Sequence, residues 1–476
     1  MTTQIQKPSI VWFRQDLRLE DQPALTAAIQ KGGPVIPLFI WAPEEEGDWP
    51  LGPASCWWIH YSLQNLEKDL QSLGLKLIVR QHASLKVLQD IIQQTGADSV
   101  FWNRRYEPYI IQRDAFIKAE LQKQGIKAQS FNGNLLFEPW TVLNKQKKPF
   151  QVFTPFWKHC LTLEEPEAPL KKPTHALGDS STIDSSPIQS LGLLPSVRWD
   201  AGLEDHWKPG EMGAHIHLKE NLEKVIGHYE EQRNRPDIKG TTELSPYLCH
   251  GELSVRSIWH AVKHKFGQNE GANAYLRQVM WREFAYHLLY HFPHTPMEPL
   301  SPRFASFPWK KNYQHLRAWQ KGQTGYPIVD AGIRQLWHTG WMHNRVRLIV
   351  GSFLVKDLLI PWQEGEKWFW ETLVDADLAN NTLGWQWIAG CGADAAPYFR
   401  IFNPMTQGEK FDETGDYVRR WVPEIAALPN KYLQKPWEAP EDILRQAGIT
   451  LGITYPKPMV DHAMAREKAL EAFAKI

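Results

Sequence analysis

The stretch VDADLANNTLGWQWIAGCGADAAPYFRIFNPMTQGEKFD, residues 374–412, combines acidic, aromatic and amide side chains at short spacing. Asp375 and Asp377 stand two residues apart, and Asn381, Trp385 and Trp387 follow them. Side chains two apart diverge on a helix, so we predict a loop that turns both carboxylates toward one polar ligand. Spacing alone leaves a buried salt bridge between domains as an equally good explanation.

Two segments upstream supply groups that could face these carboxylates. WMHNRVR, residues 341–347, ends in Arg347, a candidate partner for one of the aspartates. TTELSP, residues 241–246, predicts a helix start with Ser245 as N-cap and Pro246 at the first helical position. Backbone donors at such an end favour a phosphate, although ordinary capping is the commoner role of this pattern.

Arginine alternates with aromatic residues in two further places. These are Trp281-Arg282-Glu283 and APYFRIFNP, residues 396–404. Guanidinium groups neutralise phosphates and indole faces stack on unpaired bases, so the pattern suits DNA. Arginine stacked on tryptophan at an ordinary surface explains the same pattern, and composition does not choose between the two.

The N-terminal part alternates short β-rich runs with helical patterns. The predicted strands are Ser9–Phe13, Val35–Ile40, Leu75–Arg80, Ser99–Trp102 and Lys127–Ser130. The helical pattern is clearest from Ile59 to Leu73, where apolar residues repeat at spacings of three and four. This alternation predicts a doubly wound α/β domain with a parallel, five-stranded sheet. No GxGxxG follows the first strand, so dinucleotide binding of the usual kind is not indicated.

Length and composition divide the chain into two domains. A chain of 476 residues exceeds the size at which one core keeps growing. We predict an α/β domain over residues 1–134, a Pro/Ser/Lys-rich linker over 135–205, and a larger, all-α domain over 206–476.

The charge balance and the N-terminal sequence restrict the class of protein. The 53 basic and 53 acidic residues cancel, so any DNA site must be a local patch. The four cysteines are scattered, as in proteins of a reducing compartment. We see no signal peptide and no apolar run long enough for a membrane span, and therefore expect a soluble, cytoplasmic protein without a membrane partner.

Five segments together resemble the photolyase/cryptochrome family. They are WFRQDLRLED near the start, TTELSPYL, WREFAYHLLYHFP, GYPIVDAGIRQLWHTGWMHNRVR, and the long stretch at 374–412 quoted above. The resemblance runs from about residue 10 to about residue 430 and is weakest in the linker. It implies an N-terminal α/β domain and a C-terminal helical domain that binds FAD, which agrees with the architecture predicted from the residues.

The resemblance also assigns roles to individual residues. Arg347 and Asp375 would pair beside the flavin ring, and Asn381 would face its N5 atom. The cofactor-binding set it implies is Tyr229, Thr241, Thr242, Glu243, Leu244, Ser245, Trp281, Arg282, Asn344, Arg347, Asp375, Asp377 and Asn381. The residues implied to bind the lesion or its DNA are Arg233, Gln278, Trp281, Asn344, Arg345, Leu348, Trp387 and Arg400. Trp385, Trp362 and Trp309 resemble the electron-transfer triad, in order from flavin to surface.

Three activities occur in this family. The resemblance favours repair of cyclobutane pyrimidine dimers in damaged DNA, driven by light and by reduced, anionic FAD. Enzymes specific for the (6-4) photoproduct use two histidines, where this chain has Asn344 and Leu348. Plant cryptochromes, which signal, usually carry aspartate at the position of Asn381. Many dimer photolyases have glutamate and methionine where Gln278 and Leu348 stand, so the lesion pocket departs from that pattern.

The subclass bears on the light-harvesting antenna. EEEGDWPLGPASCWWIHYSL and NRRYEP look closer to plant cryptochromes and the bacterial photolyases related to them, called class III. That subclass implies methenyltetrahydrofolate as antenna, with a deazaflavin as the alternative. Glu107 is a candidate antenna ligand, although a Glu-Pro helix start is equally well explained by dipole compensation. We expect a monomer and no metal site.

Overall fold

The computed structural model describes residues 6–179 and 183–476. Residues 1–5 of the predicted α/β domain and residues 180–182 of the predicted linker lie outside the described residues. No helix in the described part of the chain is long and apolar enough to cross a membrane.

The N-terminal domain contains one parallel sheet of five strands in the order β3-β2-β1-β4-β5. Its strands are β1 (Ser9–Phe13), β2 (Val35–Trp41), β3 (Ile78–Gln81), β4 (Ser99–Asn103) and β5 (Lys127–Phe131). The third strand begins three residues later than predicted, because pairing with β2 starts at Ile78 opposite Leu38. The doubly wound architecture predicted from the sequence is confirmed.

Helices cover both faces of the sheet, which accounts for its strands being apolar on both sides. The helices are α1 (Pro23–Lys31), α2 (Pro53–Ser72), α3 (Ser84–Thr95) and α4 (Pro108–Lys123). Val11 and Phe13 point into the core formed with α1 and α2. The alternate residues Ile10 and Trp12 point into the core formed with α3 and α4.

The C-terminal domain is helical. Its helices are α7 (Glu211–Lys224), α8 (Tyr229–Gln232), α9 (Ser245–Cys249), α10 (Val255–Phe266), α11 (Glu270–His291), α12 (Tyr313–Gln320), α13 (Pro327–Thr339), α14 (Asn344–Ser352), α15 (Trp362–Thr372), α16 (Leu378–Ala389), α17 (Pro404–Phe411), α18 (Asp416–Trp421), α19 (Asn430–Leu433), α20 (Glu441–Gln446) and α21 (His462–Phe473). One π-helical turn, Phe353–Asp357, follows α14. The buried helices α11, α14, α15 and α16 form the centre of this domain.

The segment predicted as a linker contains two short helices, α5 (Phe153–Cys160) and α6 (Ala201–His206). Phe153, Phe156 and Cys160 on α5 are buried in the same core as α10 and α11. This part of the segment therefore belongs, by its packing, to the helical domain.

A buried carboxyl group joins the two domains. Glu252 is fully buried. It accepts hydrogen bonds from the Ser62 hydroxyl of α2 and, over 2.6 Å, from the Gly210 backbone N–H. Burial raises the pKa of Glu252 from 4.5 to about 8, because the loss of solvent outweighs the hydrogen bonds from Ser62 and Gly210 and the charge of Glu211 adds to the shift.

Candidate active site

A cavity of about 360 Å³ lies within the helical domain. That volume falls in the range of ligand sites, about 300–1,000 Å³. Its wall includes the exposed residues Ser245, Asn344 and Asn380, so it opens to the surface. Gln278, Leu348 and Trp385 line the cavity. The cavity also brings together all thirteen residues predicted to bind the cofactor, namely Tyr229, Thr241, Thr242, Glu243, Leu244, Ser245, Trp281, Arg282, Asn344, Arg347, Asp375, Asp377 and Asn381.

The predicted pair of Arg347 and Asp375 is formed. Nη2 of Arg347 lies 3.0 and 2.8 Å from the two carboxylate oxygens of Asp375. The Nε of the same arginine donates to the Met342 carbonyl over 2.8 Å, which fixes the guanidinium plane. Both residues lie on the cavity wall, so the pair is part of the site as well as a salt bridge.

Ser245 has a different role from the one predicted. The N-cap of α9 is Leu244, and Ser245 is the first helical residue. Its hydroxyl donates to Oδ2 of Asp375 over 2.6 Å. The hydroxyl is therefore directed to the carboxylate across the cavity wall, and the prediction of Ser245 as N-cap was wrong.

Asp377 does lie at the end of a loop, as predicted, and it caps α16. Its Oδ1 accepts from the Asn380 backbone N–H over 2.8 Å. The Tyr286 hydroxyl of α11 donates to the other oxygen. Tyr286 was missed by sequence reasoning, because it lies 91 positions before its partner in the chain. The guanidinium of Arg282 lies over the Tyr286 ring, 4.8 Å from its centroid, and so links α11 to this corner of the cavity.

Asn381 presents one defined face to the cavity. Its Nδ2 donates to the Glu366 carbonyl of α15 over 2.9 Å. The amide oxygen is then the group that Asn381 can offer to a ligand. Glu366 itself is fully buried, and burial raises the pKa of its carboxyl well above the usual range.

Of the three tryptophans predicted to transfer electrons, one lines the cavity. Trp385 is buried in its wall. Trp362 is also buried, and it lies one helical turn before Gly365, on which the Trp385 ring packs. Trp309 is half-buried near the surface and packs against Phe307, with ring centroids 4.2 Å apart and planes tilted by 44°. All three belong to or pack against one core, and their order in electron transfer stays a prediction.

The arginines predicted to contact DNA lie outside the cavity. Arg345 donates to Oδ1 of Asn234 over 2.6 Å, and its guanidinium lies over Phe411. Burial, and then the charge of Arg233, lower the pKa of Arg345, so the two cations are neighbours. Arg233 faces Glu230 at 3.2 Å, and Arg400 is exposed on the loop before α17. Trp387, predicted to wall the lesion, is half-buried and does not line the cavity.

Glu107 lies in the α/β domain, away from the cavity. It is the residue before α4, and its carboxylate pairs with Arg105 at 2.9 Å. Arg105 also pairs with Glu46 at 2.8 Å. Desolvation opposes ionisation of Glu107, but the Arg105 charge and hydrogen bonds lower its pKa overall. Its assignment to an antenna site stays a prediction.

The fold and the site together define a two-domain protein: a parallel α/β domain joined to a helical domain whose open cavity is lined by hydroxyl, carboxylate, arginine and tryptophan groups. Residues 9–174 match the family described as DNA photolyase. Residues 275–475 match the FAD binding domain of DNA photolyase. The chain belongs to the photolyase/cryptochrome family.

Relatives match over nearly the whole chain. A deoxyribodipyrimidine photo-lyase from Agrobacterium fabrum is 47% identical over 472 residues, covering 98% of each chain. Cryptochrome-1 from Arabidopsis thaliana is 42% identical over 98% of this chain and 70% of its own. The structure of a bacterial class III photolyase from Agrobacterium tumefaciens superposes with a TM-score of 0.97, at 46% identity, covering 100% of this chain and 98% of that one.

Proposed function

We propose that this chain repairs cyclobutane pyrimidine dimers in DNA under light, with reduced FAD in the cavity. When bound, the flavin supplies the photoexcited electron that splits the dimer. The relatives named deoxyribodipyrimidine photo-lyase and the class III photolyase structure support this assignment.

The groups at the open side of the cavity carry the proposal. Trp281, Gln278 and Leu348 line it together with the exposed Asn344. An indole face and an amide suit two linked pyrimidines of one strand that have left the duplex, since the indole stacks on them and the amide hydrogen-bonds their carbonyls. The adjacent cations Arg345 and Arg233 suit the phosphates on either side. A dimer costs less to extrude than a normal pair, because it is already poorly stacked.

The residues of the cavity wall fit FAD by their chemistry. We infer that Thr241, Thr242 and Ser245 hold its phosphates and ribityl chain, and that the Arg347–Asp375 pair lies beside the ring. The amide oxygen of Asn381 can accept a hydrogen bond from a ring N–H without adding charge. Buried hydrophobic neighbours such as Phe369 and Trp385 keep water from that side of the cavity.

A signalling cryptochrome is the second candidate, because plant cryptochromes match at 42% and 41% identity. Asn381 favours repair, since its amide can hydrogen-bond the ring while remaining neutral. Gln278 departs from the glutamate of many dimer photolyases, but its amide can still hydrogen-bond a lesion carbonyl. The test is repair of a dimer-containing oligonucleotide under blue or near-ultraviolet light, with a dark control. Light-dependent loss of dimers supports repair; a reduced, FAD-loaded protein that leaves the dimers intact supports signalling.

A matched pair of variants sharpens that test. Gln278→Ala should slow repair and leave the FAD content unchanged, because the amide faces the lesion pocket. Gln446→Ala removes the same side chain from the exposed end of α20 and should leave repair unchanged. Equal repair in the two variants would remove Gln278 from the lesion pocket.

We also propose methenyltetrahydrofolate as the antenna in the α/β domain, with a deazaflavin as the alternative. The folate follows from the resemblance of the sequence to class III photolyases. Mass spectrometry of the chromophores released from purified protein distinguishes the two. We further propose that the protein is a monomer in the cytoplasm. Size-exclusion chromatography tests the oligomeric state.

A further inference from the structure

The Trp281 indole packs against two aromatic rings on the side away from the cavity. The ring of Phe153, at the start of α5, lies parallel to the Trp281 indole, with centroids 3.9 Å apart and planes 8° apart. Phe284 contacts both rings edge-on, at 5.9 Å from Phe153 and 5.7 Å from Trp281. Trp281 lines the cavity and keeps part of its surface exposed, whereas Phe153 is 1% exposed. The indole therefore stands between the cavity and a buried ring.

Phe153 is itself held from two directions. Its backbone N–H donates to Oδ2 of Asp394 over 3.1 Å. Asp394 lies on the loop that continues to Arg400, and it has a left-handed backbone with φ of 48°. The guanidinium of Arg277, one turn before Trp281 on α11, lies 5.5 Å from the centroid of the Phe153 ring. Phe153 thus connects the loop bearing Arg400 with the helix bearing Trp281.

We propose that Phe153 is a positioning residue, which fixes the plane of the Trp281 indole so that a flipped dimer meets a preformed wall. Asp394 fixes Phe153 in turn and joins this wall to the loop of Arg400. The inference rests on the proposed function, because it assumes that Trp281 stacks on a lesion. A side chain that is already ordered loses less rotational freedom on binding, so the stack raises affinity for the lesion more than for undamaged DNA.

Two leucine variants on α5 test the role of the Phe153 ring. Phe153→Leu removes the parallel stack on Trp281. Phe156→Leu removes an equally buried ring from the same helix, one that packs on Phe284 and His287. Kd is measured in the dark for a dimer-containing and an undamaged oligonucleotide, with FAD content as a check on folding. An aromatic pair of this geometry corresponds to about a 2- to 12-fold change in an equilibrium constant. We expect Phe153→Leu to lose about fivefold in preference for the dimer, and Phe156→Leu to keep the wild-type preference.

A second readout requires no lesion. With 5-fluorotryptophan incorporated, the ¹⁹F resonance of Trp281 is assigned by its loss in Trp281→Phe. Phe153→Leu should shift and broaden that resonance, and Phe156→Leu should leave its width unchanged. Equal effects of the two leucine variants on preference and on the resonance would overturn the inference. A wild-type protein without any preference for the dimer would refute the proposed function, while the resonance still decides whether Phe153 fixes the indole.

The contribution of Asp394 is tested with two substitutions that both tolerate its backbone. Asn and Gly accept a positive φ, but only Asn keeps an acceptor for the Phe153 N–H. We expect Asp394→Gly to lower the preference for the dimer and Asp394→Asn to preserve it. Equal preference in the two variants would show that the hydrogen bond to Phe153 does not connect the loop with the wall.

Discussion

Replacing Arg347 by methionine should leave a buried carboxylate without its cation. The Asp375 side chain is only 4% exposed, whereas that of Arg347 is 22% exposed. Two of the three contacts on that carboxylate come from Nη2 of Arg347, and the third comes from the Ser245 hydroxyl. In the variant, one hydrogen bond remains to stabilise a charge that water reaches poorly.

The two partners should differ in what their loss costs. Removing one member of a buried pair destabilises a protein by about 3–5 kcal/mol, and the partial exposure of Arg347 places Arg347→Met at about 3 kcal/mol. Asp375→Asn should cost less, about 1–2 kcal/mol, because the remaining guanidinium can still reach water. In the double variant no buried charge remains, so it should recover about half of the loss of Arg347→Met.

Urea unfolding of protein stripped of FAD, followed by circular dichroism, measures these differences. Removing the cofactor matters, because ligand binding would add its own stabilisation to the folded state. A double variant that unfolds at the same or lower urea concentration than Arg347→Met would refute the reasoning. In that outcome the arginine would stabilise the domain through packing and its bond to the Met342 carbonyl.

Three further predictions follow from the same structure. Arg233, Arg345 and Arg400 are the arginines assigned to DNA phosphates. Alanine at any one of them should weaken DNA binding and reduce the slope of log K against log salt by about 0.9, while FAD is retained. Fluorescence anisotropy over a salt series measures this slope. Phenylalanine at Trp385 or Trp362 keeps most of the ring volume but removes the oxidisable indole, so photoreduction of oxidised FAD by an external donor should slow sharply. Chemically reduced variants should still repair dimers in light. Absorbance during illumination gives the rate of photoreduction, and a wild-type rate in both variants contradicts the triad. Because the pKa of Glu252 is raised from 4.5 to about 8, its stabilising proton is fully present below about pH 4.5 and is lost as pH rises through about 8. Glu252→Gln should therefore flatten the fall in Tm over that window and raise Tm at the alkaline end, and parallel Tm curves for the two proteins would contradict the assignment.

The pattern of apolar residues predicted the fold well, because it is a local property. The alternation of short apolar runs with helical spacing gave the five parallel strands, and Ser9–Phe13 agrees at both ends. Composition was less informative in the segment at 135–205. Its prolines and serines predict a connection, yet the aromatic residues Phe153 and Phe156 bury α5 against the helical domain.

The residue types around the cavity were predictable, but several of their partners were not. The Arg347–Asp375 pair follows from charge and motif, and the structure confirms it. The bond from Tyr286 to Asp377 and the stack of Phe153 on Trp281 join distant segments, so no local pattern announces them. For Ser245 a local pattern predicted too much. The capping rule assigned its hydroxyl to the helix start, whereas the hydroxyl donates to the carboxylate of Asp375, which is distant in sequence.

Gly365 places an evolutionary constraint beside the cavity that no chemical motif reveals. A Cβ at this position would fall on the six-membered ring of Trp385. During evolution, even alanine can replace Gly365 only after the Trp385 indole has shifted or has been replaced by a smaller side chain. The order of substitutions is therefore restricted, and the two positions should change together. An absent side chain on one helix thus preserves the aromatic one on the next.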